Sequence, residues 1–266
     1  MRKHDYSLIV GLTLSCIMLA VTIIAQFWTP YSVTAMDASA KNAAPCLAHI
    51  MGTDNFGRDV LSRVMSGCGT TFFIGVCTVV IGAIFGTIIG AVTGYFGGVL
   101  DEIVMRINDV ILSFPSVLLA LIFISFLGTG KYKIILALGV MFIPSFARIV
   151  RSEVIRLKSQ EFVKSAKVMG AGNFRIIFVH ILPNIWVSML TAAAVGFNNA
   201  VLAEASMSYL GLGVVPPEPS LGLMLSEAQQ YIFIAPWYAL FPGIVIVLII
   251  LGFGLISESL RSRAQG

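Results

Sequence analysis

Residues 160–184, QEFVKSAKVMGAGNFRIIFVHILPN, decide the fold because they form a charged, glycine-interrupted hairpin between two apolar segments. Gly170 and Gly172 are expected to end its first helix, since glycine enters left-handed backbone conformations without a Cβ clash. Asn173 is placed to cap the second helix, and Pro183 suits the first turn of the apolar segment that follows. The stretch therefore predicts two short helices set between membrane spans.

The first helix of this hairpin is amphipathic. Phe162, Val163, Ala166 and Met169 share one side at helical spacing, while charged residues such as Lys164 occupy the rest. Such a helix suits docking against another protein. It equally suits lying on the inner leaflet with its basic residues against anionic headgroups, so the spacing alone leaves both interpretations open.

The composition places the chain in a lipid bilayer. Hydrophobic residues make up 58% of the 266 residues and charged residues only 11%, whereas soluble domains are about one-quarter charged. Backbone in hydrocarbon must satisfy its own hydrogen bonds, so the long apolar stretches are predicted to be helices. The result is an all-α, polytopic protein with six transmembrane helices at residues 8–28, 72–94, 110–127, 134–149, 182–203 and 237–256.

Lysine and arginine residues set the expected orientation, because basic residues near span ends are retained in the cytoplasm. With both termini inside, twelve of the 17 basic residues fall on the cytoplasmic side, together with the hairpin. The outer side then holds Lys41, Arg58, Arg63, Lys131 and Lys133. The first apolar run exceeds the roughly 7–15 residues of a signal-peptide core, so an uncleaved first span is expected.

The hairpin resembles the cytoplasmic loop of permease subunits in ABC-type importers. That loop follows the pattern EAA, three residues, Gly, nine residues, I-x-L-P, and Gly170 falls in register when counted back from Leu182 and Pro183. Ala166 takes the second alanine position. Three positions depart from the pattern, namely Lys164, Ser165 and His180.

Three more stretches resemble the dipeptide, oligopeptide and nickel importer group, in its second-permease subfamily. Residues 52–63, GTDNFGRDVLSR, look like the element that precedes the second span in those permeases. Residues 204–213, EASMSYLGLG, are similar to another family stretch, as are APW at 235–237 and FPG at 241–243. The resemblance covers nearly the whole chain after Ile50.

The resemblance implies a non-catalytic transport subunit of the bacterial or archaeal cytoplasmic membrane. Its expected partners are a homologous second permease, two cytoplasmic ATPase subunits, an extracytoplasmic binding protein and membrane lipid, but no nucleic acid. ATP and magnesium are expected on the ATPases, with no cofactor, metal or catalytic residue on this chain. The residues expected to couple the chain to an ATPase are Phe162, Val163, Lys164, Ala166, Met169 and Gly170.

The cargo is left open by the resemblance, because selection rests mainly with the binding protein. Peptides are the first expectation, and nickel or a nickel chelate is the second. The rival class is a secondary transporter or channel that works without ATP, which predicts paired charges within spans and inverted repeats. Catalysis lacks support, since residues 125–132 lack the first glycine and the hydroxyl residue of a phosphate-binding loop.

A glycine stripe runs along the second predicted span, where Gly82, Gly86, Gly90 and Gly94 repeat every fourth residue. Missing side chains on one face let the backbone of another helix approach closely. We expect this face to pack within the permease core or against the partner permease.

Three polar residues, Asn198, Asn199 and Glu204, interrupt the fifth predicted span. A carboxylate at mid-bilayer costs about 2.5–3.5 kcal/mol on insertion scales, so Glu204 should face protein, water or the outer surface. One interpretation places these residues by the gate or pathway. The other ends the span early and leaves Glu204 outside.

Charged residues and a proline near the span ends suggest local roles. Asp59 and Arg63 are spaced for an exposed helix pair, on a short outer helix that the resemblance places beside the translocation mouth. A plain solvated face explains that pair equally well. Asp109 is expected near the N-terminus of the third span, where a carboxylate favours the helix dipole, and Pro115 is expected to bend that span.

The chain is predicted to form one helical permease unit in three segments. Residues 1–71 hold the first span and the outer element, residues 72–256 the permease core with its coupling loop at about 151–182, and residues 257–266 a cytoplasmic tail. The sequence leaves open whether Cys46 and Cys68 pair on the outer side.

Overall fold

The computed structural model describes residues 3–265 and is built from helices and turns over that range, with side chains placed for residues 6–116 and 118–262. The helices are α1 (Lys3–Phe27), α2 (Val60–Phe96), α3 (Gly98–Ser113), α4 (Ser116–Leu127), α5 (Lys131–Lys158), α6 (Glu161–Val168), α7 (Asn173–Tyr209), α8 (Leu221–Ala228) and α9 (Pro236–Gln265). Short 3-10 turns lie at Ala38–Ala40 and Gln229–Tyr231. The all-α prediction is confirmed.

Five of these helices are long and apolar enough to cross a membrane, and a sixth crossing results if α3 and α4 form one bent span. The predicted third span, residues 110–127, straddles the break between them. Pro115 lies at that break, and the helix axes on its two sides differ by 95°. A proline has no N–H to donate and disfavours a helical residue before it, so a sharp bend forms there.

All five long helices extend beyond one or both ends of their predicted spans. α2 begins at Val60 rather than at residue 72, because the Asp59 carboxylate accepts a hydrogen bond from the backbone N–H of Ser62 at 2.8 Å and caps the helix. The short outer helix predicted around Asp59 is therefore the start of α2. Likewise α5 runs on to Lys158, and α7 extends in both directions. α1 begins at Lys3, and α9 continues to Gln265 through most of the segment predicted to be a separate tail. The predictions stopped at charged residues, but helices continue through charges that find partners or water.

The prediction for Asp109 is wrong. α3 begins at Gly98, so Asp109 lies in its last turns rather than at a helix N-terminus. Its Oδ1 instead accepts from Nη2 of Arg148 at 2.6 Å, and both side chains are more than half exposed. The segment before residue 110, predicted to be an inner loop, is helical because its apolar residues recur on one face of α3.

The glycine stripe of α2 is covered by α5, the helix with which α2 packs most extensively. A Cβ added to Gly82 would lie 2.7 Å from Cβ of Phe142, and one added to Gly94 would lie 2.9 Å from the carbonyl oxygen of Arg151. Gly86 and Gly90 approach α5 at least as closely. The structure thus places a helix of the same chain against the stripe, where α2 and α5 form a close pair.

The remaining long helices assemble around α2. α1 lies along α9, and α9 also contacts α7 and α8. Phe72 of α2, Phe197 of α7 and Phe253 of α9 meet in this part of the core, with ring centroids 4.2–5.9 Å apart. One end of the bundle carries α6, and we call it the hairpin end. The other carries residues 28–59 and α8, and we call it the opposite end.

The four cysteines, all in the described range, are free. Cys68 is buried in α2, where the Thr22 hydroxyl donates to its Sγ at 3.4 Å, while Cys46 is exposed and accepts from the backbone N–H of His49. The possible Cys46–Cys68 pair is not formed.

Candidate functional site

The hairpin helix α6 is held to the bundle by one side only. Val163 and Ala166 are both buried, and Val163 belongs to a cluster with apolar residues of α2, of α5 and of the first turns of α7. Phe162 is 42% exposed and Met169 is 81% exposed. The single apolar face predicted from the sequence is therefore divided between an inner anchor and an outer surface, because the helix sits tangentially on the bundle.

Val168 belongs to the outer surface and was not singled out from the sequence. Its side chain is 88% exposed, beside Met169 at the end of α6. We call Phe162, Val168 and Met169 the hairpin tip. Lys164 lies outside it, pairing with Glu161 at 2.8 Å in solvent. The sequence signal for Val168 is its position, since it and Met169 are apolar residues directly before the glycine turn.

The turn after α6 depends on Gly170, whose φ of +85° lies in the left-handed region. The backbone N–H of Ala171 donates to the carbonyl of Ala166 at 3.0 Å, which closes the turn. The predicted cap by Asn173 is wrong, because Gly172 holds the N-cap position. The Asn173 Oδ1 accepts instead from the Tyr95 hydroxyl at 2.9 Å, so this side chain ties the hairpin to the end of α2.

Further polar contacts join the hairpin end to α2 and α3. Lys158, at the end of α5, donates to the carbonyl of Tyr95 and lies over its ring. Arg151 forms two hydrogen bonds to the Asp101 carboxylate, at 2.5 and 2.6 Å. Paired bonds of this kind fix orientation as well as distance. A displacement of α6 would therefore be transmitted to α2 through Asn173 and Tyr95, and through α5 to α3 by way of Arg151 and Asp101.

The first turns of α7 depart from regular α-helix. Ile176–Ile181 form a π-helical segment, and Leu182–Ile185, which includes Pro183, form a 3-10 turn. Pro183 has no N–H to donate, and the change from π-helical to 3-10 winding accommodates the hydrogen bond that it cannot form. Irregular helix therefore lies between the glycine turn that follows α6 and the regular part of α7.

A cavity of about 960 Å³ lies between α4, α5 and α7. Its walls are largely apolar, and hydroxyl and amide side chains are placed along its length. The polar lining residues are Ser116, Ser145, Ser188, Thr191, Asn199 and Ser206. Toward the hairpin end the lining also contains Glu153, Arg156 and Arg261. A site of this size with scattered hydrogen-bonding groups suits a small polar solute.

The three predicted pathway residues are not brought together. Asn199 lines the cavity, whereas Asn198 lines a neighbouring groove of about 360 Å³ between α7 and α9. Glu204 lines neither and is fully buried. Its carboxylate accepts from the hydroxyls of Ser208 at 2.7 Å and Thr71 at 3.0 Å.

These contacts place Glu204 against protein, which is one of the three surroundings predicted for it. The interpretation that α7 ends before Glu204 is wrong, because the helix continues to Tyr209. The carboxylate joins α7 to α2 inside the protein and does not line the cavity, and a role for Glu204 at the gate stays a prediction. The cost of burying this acid is offset by hydrogen bonds from the neighbouring hydroxyls of Ser208 and Thr71.

A second polar cluster, which we call the charge network, lies at the opposite end. Arg58 contacts Asp54 through Nε at 2.5 Å and Glu227 through Nη2 at 3.0 Å. Nη2 of Arg63 lies 2.8 Å from the same oxygen of Glu227, to which the Tyr238 hydroxyl also donates. The network joins the 52–63 element to α8 and α9.

The predicted exposed pair between Asp59 and Arg63 is wrong. Arg63 is 1% exposed in its side chain and contacts Glu227 and Asp54, while Asp59 caps α2 and contacts His49 at 2.9 Å. The sequence could not show this, because Glu227 lies more than 160 residues away along the chain. Trp237 adds a further tie, its indole N–H donating to the carbonyl of Thr53 at 3.1 Å.

Comparison with known proteins identifies the family. Residues 86–265 match the model of the binding-protein-dependent transport system inner membrane component. The chain is 40% identical to the dipeptide transport system permease protein DppC of Alkalihalophilus pseudofirmus, over 97% of this chain and 85% of that protein. It is 37% identical to the glutathione transport system permease protein GsiD of Pectobacterium atrosepticum, over 92% and 82%.

A solved structure shares the fold. An inward-facing form of the MetNI methionine ABC transporter matches with a TM-score of 0.56 at 21% identity, covering 76% of this chain and 96% of that chain. This likeness concerns the helical arrangement alone. Because the family model covers more than half of the sequence and the DppC relative matches nearly all of it, the chain belongs to the binding-protein-dependent transport system inner membrane components.

Proposed function

We propose that this chain is the permease subunit of an importer that moves small peptides across the cytoplasmic membrane, driven by ATP hydrolysis on partner subunits. The names of its relatives, which refer to dipeptide and glutathione transport, support a peptide cargo. The cavity between α4, α5 and α7 offers hydroxyl and amide groups that can replace water around peptide bonds.

The observation that carries the proposal is the division of α6 into an anchored side and an exposed tip. The tip presents Phe162, Val168 and Met169 to solvent, while Val163 and Ala166 pack into the bundle. Burying an exposed apolar side chain of this size in an ATPase cleft contributes about 1.5–3 kcal/mol. The tip then acts as a handle, and the buried side transmits its movement.

The route of transmission follows the contacts at the hairpin end. Tyr95 and Asn173 link the hairpin to α2, and Arg151 and Asp101 link α5 to α3. Because α2 and α5 are close-packed along the glycine stripe, they move as a pair. We propose that this movement opens the cavity alternately to the two sides of the membrane.

The assembly that this function requires contains two permeases, two cytoplasmic ATPases that hold ATP and magnesium, and an extracytoplasmic binding protein. Both termini and the hairpin end lie in the cytoplasm in this arrangement, as the distribution of basic residues predicts. No cofactor is assigned to this chain.

Transport by the purified complex in proteoliposomes tests the proposal. Uptake of a labelled dipeptide should require ATP, the ATPase subunits and the binding protein together. Glutathione and a nickel chelate are the comparison cargoes, and preferred uptake of the chelate would replace the peptide assignment. Uptake by liposomes that lack the ATPases would instead support a secondary transporter or channel.

A further inference from the structure

The hairpin end of the cavity is lined by more positive than negative side chains. Two arginines, Arg156 and Arg261, line it together with the single carboxylate of Glu153. That carboxylate is fully engaged: Oε2 accepts from Arg156 Nε and Nη2 at 2.9 and 2.6 Å, and Oε1 accepts from the Ser188 hydroxyl at 2.9 Å. Arg156 is therefore already neutralised within the protein.

Arg261 has no such partner among the side chains that the structure describes. Its side chain is exposed, and over residues 6–262 no carboxylate lies within 4 Å of its guanidinium. Glu258, one turn earlier, lines the neighbouring groove without pairing with it. Arg261 lines both the cavity and that groove, so its positive charge faces the space through which a solute would pass.

The surroundings of Arg261 can complete an anion site. Thr191 and Val195 line the same two spaces one turn apart and offer a hydroxyl and an apolar wall, while Asn199 and Leu202 line those spaces further along α7. A guanidinium presents parallel N–H donors that match the two oxygens of a carboxylate. An unpaired arginine beside hydrogen-bonding groups and apolar walls is the arrangement that recognises a carboxylate attached to a larger molecule.

We propose that Arg261 receives the C-terminal carboxylate of a peptide cargo at the hairpin-end mouth of the cavity. The assignment rests on the proposed peptide function, which it extends by naming the cargo group and the residue that binds it. Glu153 and Arg156 hold each other and shape the mouth, while Arg261 supplies the free charge. The apolar walls tolerate varied cargo side chains.

The local charge can be measured without transport. In the assembled complex, with the four native cysteines replaced, a reporter cysteine is introduced as Thr191→Cys or, as a distant control about 16 Å further along α7, Leu202→Cys. The rates of modification by an anionic sulfonate and a cationic ammonium methanethiosulfonate are compared. Arg261→Gln should lower the anionic-to-cationic ratio at position 191 about fivefold, and at position 202 by less than about twofold.

Arg148→Gln is the matched control, since Arg148 carries the same charge, pairs with Asp109 and does not line the cavity. It should leave both ratios within about twofold of their starting values. An unchanged ratio at position 191 in Arg261→Gln, or an equal fall in Arg148→Gln, would overturn the anion site. These results do not depend on whether the complex transports peptides.

The cargo group is tested by protection. A tripeptide with a free C-terminus should slow modification at position 191 more than the same tripeptide with an amidated C-terminus, and Arg261→Gln should abolish the difference. Equal protection by both tripeptides would refute carboxylate binding. The measurement is repeated in nanodiscs with and without anionic phosphatidylglycerol, and a difference that disappears only with the anionic lipid would assign Arg261 to lipid headgroups.

Discussion

The two ends of the helical bundle differ in what they bury, since one end buries charged side chains and the other exposes apolar ones. At the opposite end the charge network buries Arg58 and Arg63 with Asp54 and Glu227, and ties together three separate parts of the chain. At the hairpin end α6 exposes its charges and also the apolar hairpin tip.

This difference distinguishes an end that is held by buried ion pairs from an end that leaves an apolar surface exposed. Buried charges are costly to separate, so the network holds the 52–63 element, α8 and α9 in one arrangement. The hairpin tip exposes an apolar surface. The exposed ion pair between Lys164 and Glu161 on the same helix contributes little to stability. The largest effect on stability should therefore come from the opposite end, and the largest effect on coupling from the hairpin end.

Replacing Glu227 should give the largest effect. Glu227→Ala removes the carboxylate that contacts Arg58 and Arg63, and leaves both guanidinium groups short of partners. Breaking a buried ion pair in this way should cost about 3–5 kcal/mol of stability, measured as a fall in the thermal unfolding midpoint in detergent.

Glu218→Ala is the control for this prediction. Glu218 contacts Lys131 with its side chain 41% exposed, so its loss should cost no more than about 1 kcal/mol. Equal shifts in the two variants would show that the charge network is no stronger than a surface pair.

The hairpin tip should give the next largest effect, on assembly rather than on folding. Met169→Ser removes apolar surface that is exposed in this chain, so its unfolding midpoint should not change. Attachment of the ATPase should weaken by about 1.5–3 kcal/mol, which is tenfold or more in affinity, measured by titrating detached ATPase onto the permease.

Val163→Ser, on the buried side of α6, is the comparison variant for Met169→Ser. Val163 is buried, so the substitution should lower the unfolding midpoint of the permease by itself. If Met169→Ser and Val163→Ser produced the same pattern, the division of α6 into an anchor and a tip would be refuted.

The glycine stripe connects the two ends and should give an intermediate effect. A Cβ at Gly86 would meet Phe146 and the backbone of α5. Gly86→Ala should therefore cost about 1–3 kcal/mol through overpacking, seen as lower recovery of the complex and a lower unfolding midpoint.

Gly243→Ala is the matched control for Gly86→Ala. Gly243 is also helical, but its added Cβ would meet only the Leu225 side chain at 4.0 Å. Alanine favours helix over glycine, so this variant should be neutral or stabilised by up to about 1 kcal/mol. A neutral Gly86→Ala would show that α2 and α5 can separate freely.

Loss of the exposed ion pair on α6 should have the smallest effect. Lys164 and Glu161 lie 2.8 Å apart with both side chains more than half exposed, so Lys164→Ala should change stability by less than about 0.5 kcal/mol. ATPase attachment should be almost unchanged as well. A large loss of ATPase attachment would contradict this result and would support the expectation from the sequence that Lys164 couples the chain to an ATPase.

Predictions from the sequence succeeded where neighbouring residues carry the signal. Gly170 was recognised because a left-handed turn needs glycine, and Pro115 because a proline interrupts the hydrogen bonds of a helix. The boundaries of α2, α5 and α7 were less accurate. A hydropathy pattern stops at a charge, whereas a helix stops only where its backbone loses hydrogen bonds.

The sequence by itself determined that the chain is a helical membrane protein with a protruding, glycine-turned hairpin. Apolar length and the short-range geometry of glycine and proline are local properties, and they act whatever the rest of the fold does. Only the tertiary structure decided that Glu204 joins α7 to α2 and that Glu227 holds two arginines. Those roles depend on which distant residues the packing brings within hydrogen-bond distance, and spacing along the chain carries no record of that.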